Sequence, residues 1–186
     1  RGAELGSAIA RALAACASGK LSSAEQVEIG RDLGAYLELR PGGERALARE
    51  VPFFLNLADD GLQLFIRGQI DLLVECGDTI VVRDYKYAQR RDEDAAHYQI
   101  AMECYRLAAA EAYPERDVRA ELVFLRGGAE TCDIRLPSLE ASRSRLLRIG
   151  RAMLAAQAGG DYPKKPPEAE QCYRLRCGYV RRCWKA

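Results

Sequence analysis

The chain carries almost no net charge: 28 Lys and Arg against 27 Asp and Glu give a formal +1 over 186 residues. Proteins that grip nucleic acid through bulk electrostatics usually have a basic excess, so the whole-chain balance makes no case for such binding. Long apolar runs are also missing. None reaches the roughly 18 uninterrupted residues of a membrane span, and the opening RGAELGSAIARALAAC intersperses charges where a signal peptide would not. The expectation is a soluble, cytoplasmic protein with no membrane partner. Histidine occurs once, as His97, and methionine only as Met102 and Met153, so a chain that begins on Arg1 reads as a segment of something longer. The seven cysteines are an odd number, and Cys16, Cys76, Cys104 and Cys132 sit in apolar contexts where a thiol packs as a small hydrophobe. A disulfide framework is not expected.

What is present is enough apolar material, 48% of residues, for one sizeable core and hence one domain. Its charge is uneven. From Asp161 to Ala186 seven Lys and Arg face three acids, so that segment carries +4 and the remainder −3. We therefore divide the chain into a core, 1–160, and a basic, cysteine-containing strap, 161–186. Within the core, Glu4 to Ala17 and Ser22 to Leu37 read as helices, the second opened by a Ser-Ser-Ala-Glu-Gln cap. Arg45 to Leu57, Leu62 to Glu75 and Thr79 to Lys86 read as strands separated by Asp-Gly and Gly-Asp turns. A helix from Ala95 to Ala112, strands from Val118 to Leu125 and Glu130 to Leu136, and a helix from Ser138 to Ala158 complete the order ααβββαββα.

Two-residue loops at Asp60-Gly61 and Gly77-Asp78 fix the register of the three-strand meander. Cys76 then pairs with Thr79, which puts Asp71 opposite Asp84, and the first hairpin puts Glu50 opposite Asp71. Period-2 alternation assigns Val51, Phe53, Leu55, Leu57, Ile70, Ile66 and Leu64 to the other, apolar face. Like charges directly opposite each other on a sheet are destabilising. Two carboxylates ~4 Å apart repel by about 4 kcal/mol at an effective dielectric of ~20. A hard divalent cation with oxygen ligands, Mg²⁺ or Mn²⁺, would offset that repulsion, and Lys86, two residues beyond Asp84, adds a positive charge on the same face. A solvated sheet face that carries its charges by chance is the alternative.

The ordered set Glu50-x-Pro-Phe, Gly68-x-Ile-Asp71-Leu-Leu, Asp84-Tyr-Lys86 and Gln99 resembles the RecB-like branch of the PD-(D/E)XK nucleases. That branch includes the nuclease domains ending the AddAB and RecBCD helicase-nucleases, which act in DNA end processing and recombinational repair, and the CRISPR adaptation exonucleases. The resemblance covers nearly the whole chain. It implies an α/β fold with a restriction-endonuclease-like core, a mixed central sheet flanked by helices, and metal-dependent hydrolysis of DNA phosphodiesters. Asp71 and Asp84, with the Tyr85 carbonyl, would be metal ligands; Lys86 would orient the attacking water and stabilise charge on the phosphate. Glu50 would be an outer ligand or an orienter of Lys86, and Gln99 would hold the lysine or a phosphate. Arg90, Arg91, His97, Tyr98, Lys164 and Lys165 would touch DNA, single-stranded and fed by a helicase domain or subunit.

Two features depart from the family's pattern. Its glycine followed four residues later by a metal-binding histidine is here Gly6 followed by Ala10, which puts metal affinity in question and keeps open a DNA-binding module that has lost catalysis. Relatives also hold an iron–sulfur cluster, [4Fe–4S], with three C-terminal cysteines and one upstream. Cys172, Cys177 and Cys183 match only in part, at C-x4-C-x5-C, with Cys16 the one cysteine near the N-terminus. Reactive or buried thiols are the competing reading.

Overall fold

The structure is a computed structural model that describes residues 22–39, 43–90 and 94–160. The expected first helix, Gly6, Ala10, Cys16, Arg91, Lys164, Lys165, Cys172, Cys177 and Cys183 lie outside those residues.

The first described helix, α1, spans Ser23–Leu39. Ser22 opens it with a reciprocal cap, its Oγ accepting from Glu25 N at 3.3 Å while Glu25 Oε2 accepts from Ser22 N at 2.7 Å, so two otherwise orphaned amides are satisfied. Three strands follow, β1 (Arg45–Asp59), β2 (Leu62–Cys76) and β3 (Thr79–Lys86). Gly61 and Gly77, with φ of 78° and 59°, supply the left-handed turn positions that close the two hairpins. Helix α2 (Asp94–Ala112) crosses to β4 (Asp117–Phe124), which runs parallel to β3; β5 (Glu130–Asp133) returns antiparallel, and α3 (Leu139–Gly159) ends on Gly160 at φ 67°. The sheet order is β1-β2-β3-β4-β5. This is the mixed sheet flanked by helices that the family resemblance implied, with element ends displaced by no more than a few residues from the sequence reading.

The hairpin registers follow the turn arithmetic. Asp59 pairs with Leu62 and Val51 with Ile70, while Cys76 pairs with Thr79 and Leu72 with Arg83. A bulge between Ala46 and Ala48 ends the regular part of β1.

One face of the sheet carries the core. Ile70, Leu73, Ile80, Val82, Leu122 and Phe124 pack with Met102 and Ala109 of α2, and Leu55, Leu57 and Leu62 pack with Leu107 of α2 and with Leu146 and Leu147 of α3. Each fully buried aliphatic or aromatic side chain here contributes about 1.5–3 kcal/mol. Gly150 lets α3 approach β2 closely, since a Cβ there would lie 3.2 Å from Leu64. Glu103, fully buried on α2, is met by Arg145 of α3 at 2.6 Å, which ties the two helices together. On the opposite face α1 lies across β3, with Tyr36 edge-on to Tyr85 at 5.4 Å.

Candidate active site

Strands β2 and β3 stop pairing at Leu72–Arg83, one residue short of the two aspartates. There the Asp71 carboxylate replaces a ladder carbonyl, Oδ2 accepting the Tyr85 N–H at 2.9 Å. The strands can therefore part while the Tyr85 amide stays satisfied. Ile70 and Leu73 both belong to the core, although residues three apart on a regular strand face opposite sides, so β2 changes facing between them. Ile80 and Val82 are core residues, and Asp84 and Lys86 continue their side of β3. The carboxylates thus stand at the end of the core face rather than on a face opposite it. Alternation carried through from the hairpin turn misses this, because the irregularity lies beyond the stretch that the turn controls.

Asp84 is 4% exposed and pairs with Lys86 Nζ at 2.5 Å. Burial pushes its carboxyl up, Lys86 opposes that, and the charge of Asp71 pushes it up further. Burial works to lower the Lys86 ammonium, but the hydrogen bond and charge of Asp84 outweigh it and the net shift is upward. Lys86 also sits over the Tyr98 ring, 4.8 Å from its centroid, a cation–π contact that holds the ammonium beside Asp84. Tyr105, two turns further along α2 and edge-on to Phe53 at 5.7 Å, feels the same group: burial raises its hydroxyl and the charge of Asp84 adds to the rise.

A cavity of about 310 Å³ is lined by Asp71 together with Arg49, Glu50, Leu72 and Tyr85, and not by Asp84 or Lys86. Glu50 falls between the rungs Val51–Ile70 and Arg49–Leu72, so it stands across from Asp71 as expected. Its φ is +50°, a left-handed conformation that costs a non-glycine residue about 1–3 kcal/mol and clusters at functional positions. Its carboxylate accepts from Gln69 Nε2 at 2.6 Å. Gly68 serves as a floor: the Phe53 ring lies where its Cβ would be, at 2.6 Å. Gln99 and Tyr98 are half-buried on α2, His97 is exposed and edge-on to Tyr98, and Arg90 is ion-paired to Glu130.

Behind the site, on the α1 side of β3, Arg83 is gripped by both oxygens of Glu44, at 2.7 and 3.1 Å, by Glu121, and by the Tyr36 hydroxyl at 3.2 Å. The Tyr36 and Tyr85 hydroxyls share a 2.5 Å hydrogen bond. Sequence reasoning, which expected Tyr98 to touch DNA, missed this network and the placing of Tyr98 over Lys86 with Tyr105 beyond it. A signal for the latter existed, since Tyr98, Met102 and Tyr105 fall at i, i+4 and i+7 on one helical face.

Among the described residues, no three His, Cys, Asp or Glu side chains form a group arranged to hold a metal. The donor chemistry that is present suits a hard cation in part: two carboxylates, one raising the other, whose repulsion a divalent ion would relieve.

A parted strand pair presenting Asp71 to a buried Asp-x-Lys, on a mixed five-stranded sheet between helices, defines a class. A family model of the PD-(D/E)XK nuclease superfamily matches residues 3–184, and the chain belongs to that superfamily. Its members typically use Mg²⁺ or Mn²⁺. No curated protein matches the chain. Among solved structures, one described as "Crystal structure of SSO0001" is similar at a TM-score of 0.48 and 16% identity, covering 86% of this chain and 72% of that one. No described helix is long and apolar enough to cross a membrane.

Proposed function

We propose that this domain is a metal-dependent deoxyribonuclease of the RecB-like type, working with a helicase domain or subunit that delivers single strands during DNA end processing. The observation that carries the proposal is the Asp84–Lys86 pair, joined at 2.5 Å, with the Asp71 carboxylate near enough to push Asp84 up and itself lining a cavity. Asp71 and Asp84, with the Tyr85 carbonyl, would hold the cation. When bound, that ion would polarise the phosphate and lower the pKa of the attacking water. Lys86, positioned by Asp84 and Tyr98, orients that water and stabilises the negative charge that grows on the phosphate. Glu50 acts from across the cavity as an outer ligand or a hydrogen-bond acceptor.

Ala10, where the family has a histidine, favours a second reading: a nuclease-fold module that binds DNA without cutting it. Cleavage of labelled single-stranded DNA with Mn²⁺, by this chain and by its Ala10→His variant, separates the two. An imidazole ligand suits Mn²⁺, and the variant is expected to be at least about tenfold faster, a change of about 1.4 kcal/mol in transition-state stabilisation. No cleavage by either protein, with salt-dependent DNA binding retained, would replace the nuclease reading with the binding one.

A further inference from the structure

The outer face of the β1–β2 hairpin is open along its length. Pro52, Phe54, Asn56 and Ala58 of β1 and Gln63, Phe65, Arg67 and Gln69 of β2 are all exposed. Phe54 and Phe65 are 63% and 55% exposed, and their rings stack at 5.5 Å with 25° between planes. Arg67 pairs directly across from Phe54 in the ladder and makes no ion pair or hydrogen bond among the described residues. No carboxylate interrupts this stretch of either strand, in a chain with 27 acids. At one end of the face Gln69 bonds to Glu50, which lines the cavity with Asp71 and Arg49.

We propose that this face is a track for single-stranded nucleic acid leading into the Glu50–Asp71 cavity, with Phe54 and Phe65 as the base-stacking platform and Arg67 as a phosphate contact. The proposal rests on the nuclease reading for its direction, but its recognition chemistry is independent of turnover. Every base has a π-face, so exposed rings bind successive bases whatever their sequence, while a cation tracks the backbone. The rings are flanked by the amides of Asn56, Gln63 and Gln69, which can meet base edges and would sit poorly in an apolar protein interface. Phe54 lies four positions along β1 from Glu50, roughly 13 Å at about 3.3 Å per residue, so a strand stacked on the rings can continue into the cavity.

The test uses the 186-residue chain with Asp84→Asn, so that binding is read without cleavage, and a fluorescein-labelled oligodeoxythymidylate titrated by anisotropy across a salt series. Phe54→Leu/Phe65→Leu keeps apolar area on the hairpin but removes both rings; a melting temperature within a few degrees of the parent confirms that the fold holds. The expected result is an affinity weakened by about tenfold or more. Arg67→Gln should flatten the salt slope by about one unit. Should the leucine pair make the chain unfold, Phe54→Trp/Phe65→Trp serves instead and should tighten binding. Unchanged affinity in the ring variants overturns the track, as does a change in sedimentation without a change in affinity, which would make the face a self-association surface. Failure of the parent chain to cleave DNA, with these effects intact, would sink the nuclease reading and leave the track standing.

Discussion

The two sides of strand β3 solve the same problem in opposite ways. On one side Arg83 is buried, and it is met by two carboxylates and a hydroxyl, so that the hydrogen bonds and charges of Glu44 and Glu121 outweigh a burial that works against its charge. On the other side Asp84 is buried beside a second carboxylate and has one ammonium to offset both burial and that neighbour. One side is saturated and the other is left short of positive charge. Adjacent residues of one short strand thus stand in opposite balances, and the deficit lies on the side where Asp71 adds its charge to that of Asp84.

The difference can be broken most forcefully at Arg83. Arg83→Met should leave Glu44 and Glu121 buried without their partner and cost about 3–5 kcal/mol of folding stability, measured as a lowered urea midpoint. At Lys86 the balance should reverse: Lys86→Ala should cost cleavage about 100-fold or more, as removal of a charge-stabilising donor does, with a smaller change in the urea midpoint, because burial and Asp71 already push the Asp84 carboxyl up and it can take a proton once the ammonium is gone. A comparable loss of stability at both positions would erase the contrast. Gly68→Ala drives a methyl into the Phe53 ring and should cost about 1–3 kcal/mol by overpacking, read as a lower melting temperature. Tyr85→Phe is the gentlest probe. It removes the 2.5 Å hydroxyl contact to Tyr36 and keeps the N–H that holds Asp71, so about 1 kcal/mol of stability should be lost with cleavage nearly retained.

Local chemistry made much of this fold legible. Asp60-Gly61 and Gly77-Asp78 specify hairpins, and once a two-residue turn is fixed, Val51–Ile70 and Leu72–Arg83 follow by counting. Asp71 and Asp84 could therefore be brought together from sequence. The facing change between Ile70 and Leu73 could not, because it arises where the ladder ends and a side chain takes the place of a carbonyl. Glu50's left-handed backbone has no signature either, since no glycine or asparagine marks it. The Arg83 network joins Tyr36, Glu44, Arg83 and Glu121, residues whose meeting depends on how α1 docks, and period and propensity do not speak to that.

The central claim is that Asp84, short of compensating charge, works together with Lys86 on a metal-assisted cut. It is tested most directly by Mn²⁺-dependent cleavage of single-stranded DNA by the chain, or by its Ala10→His form where activity is low, against the same protein with Asp84→Asn. The account predicts that the asparagine abolishes cleavage while the melting temperature in the absence of metal holds or rises, because the repulsion from Asp71 is gone. Cleavage undiminished by Asp84→Asn would contradict it.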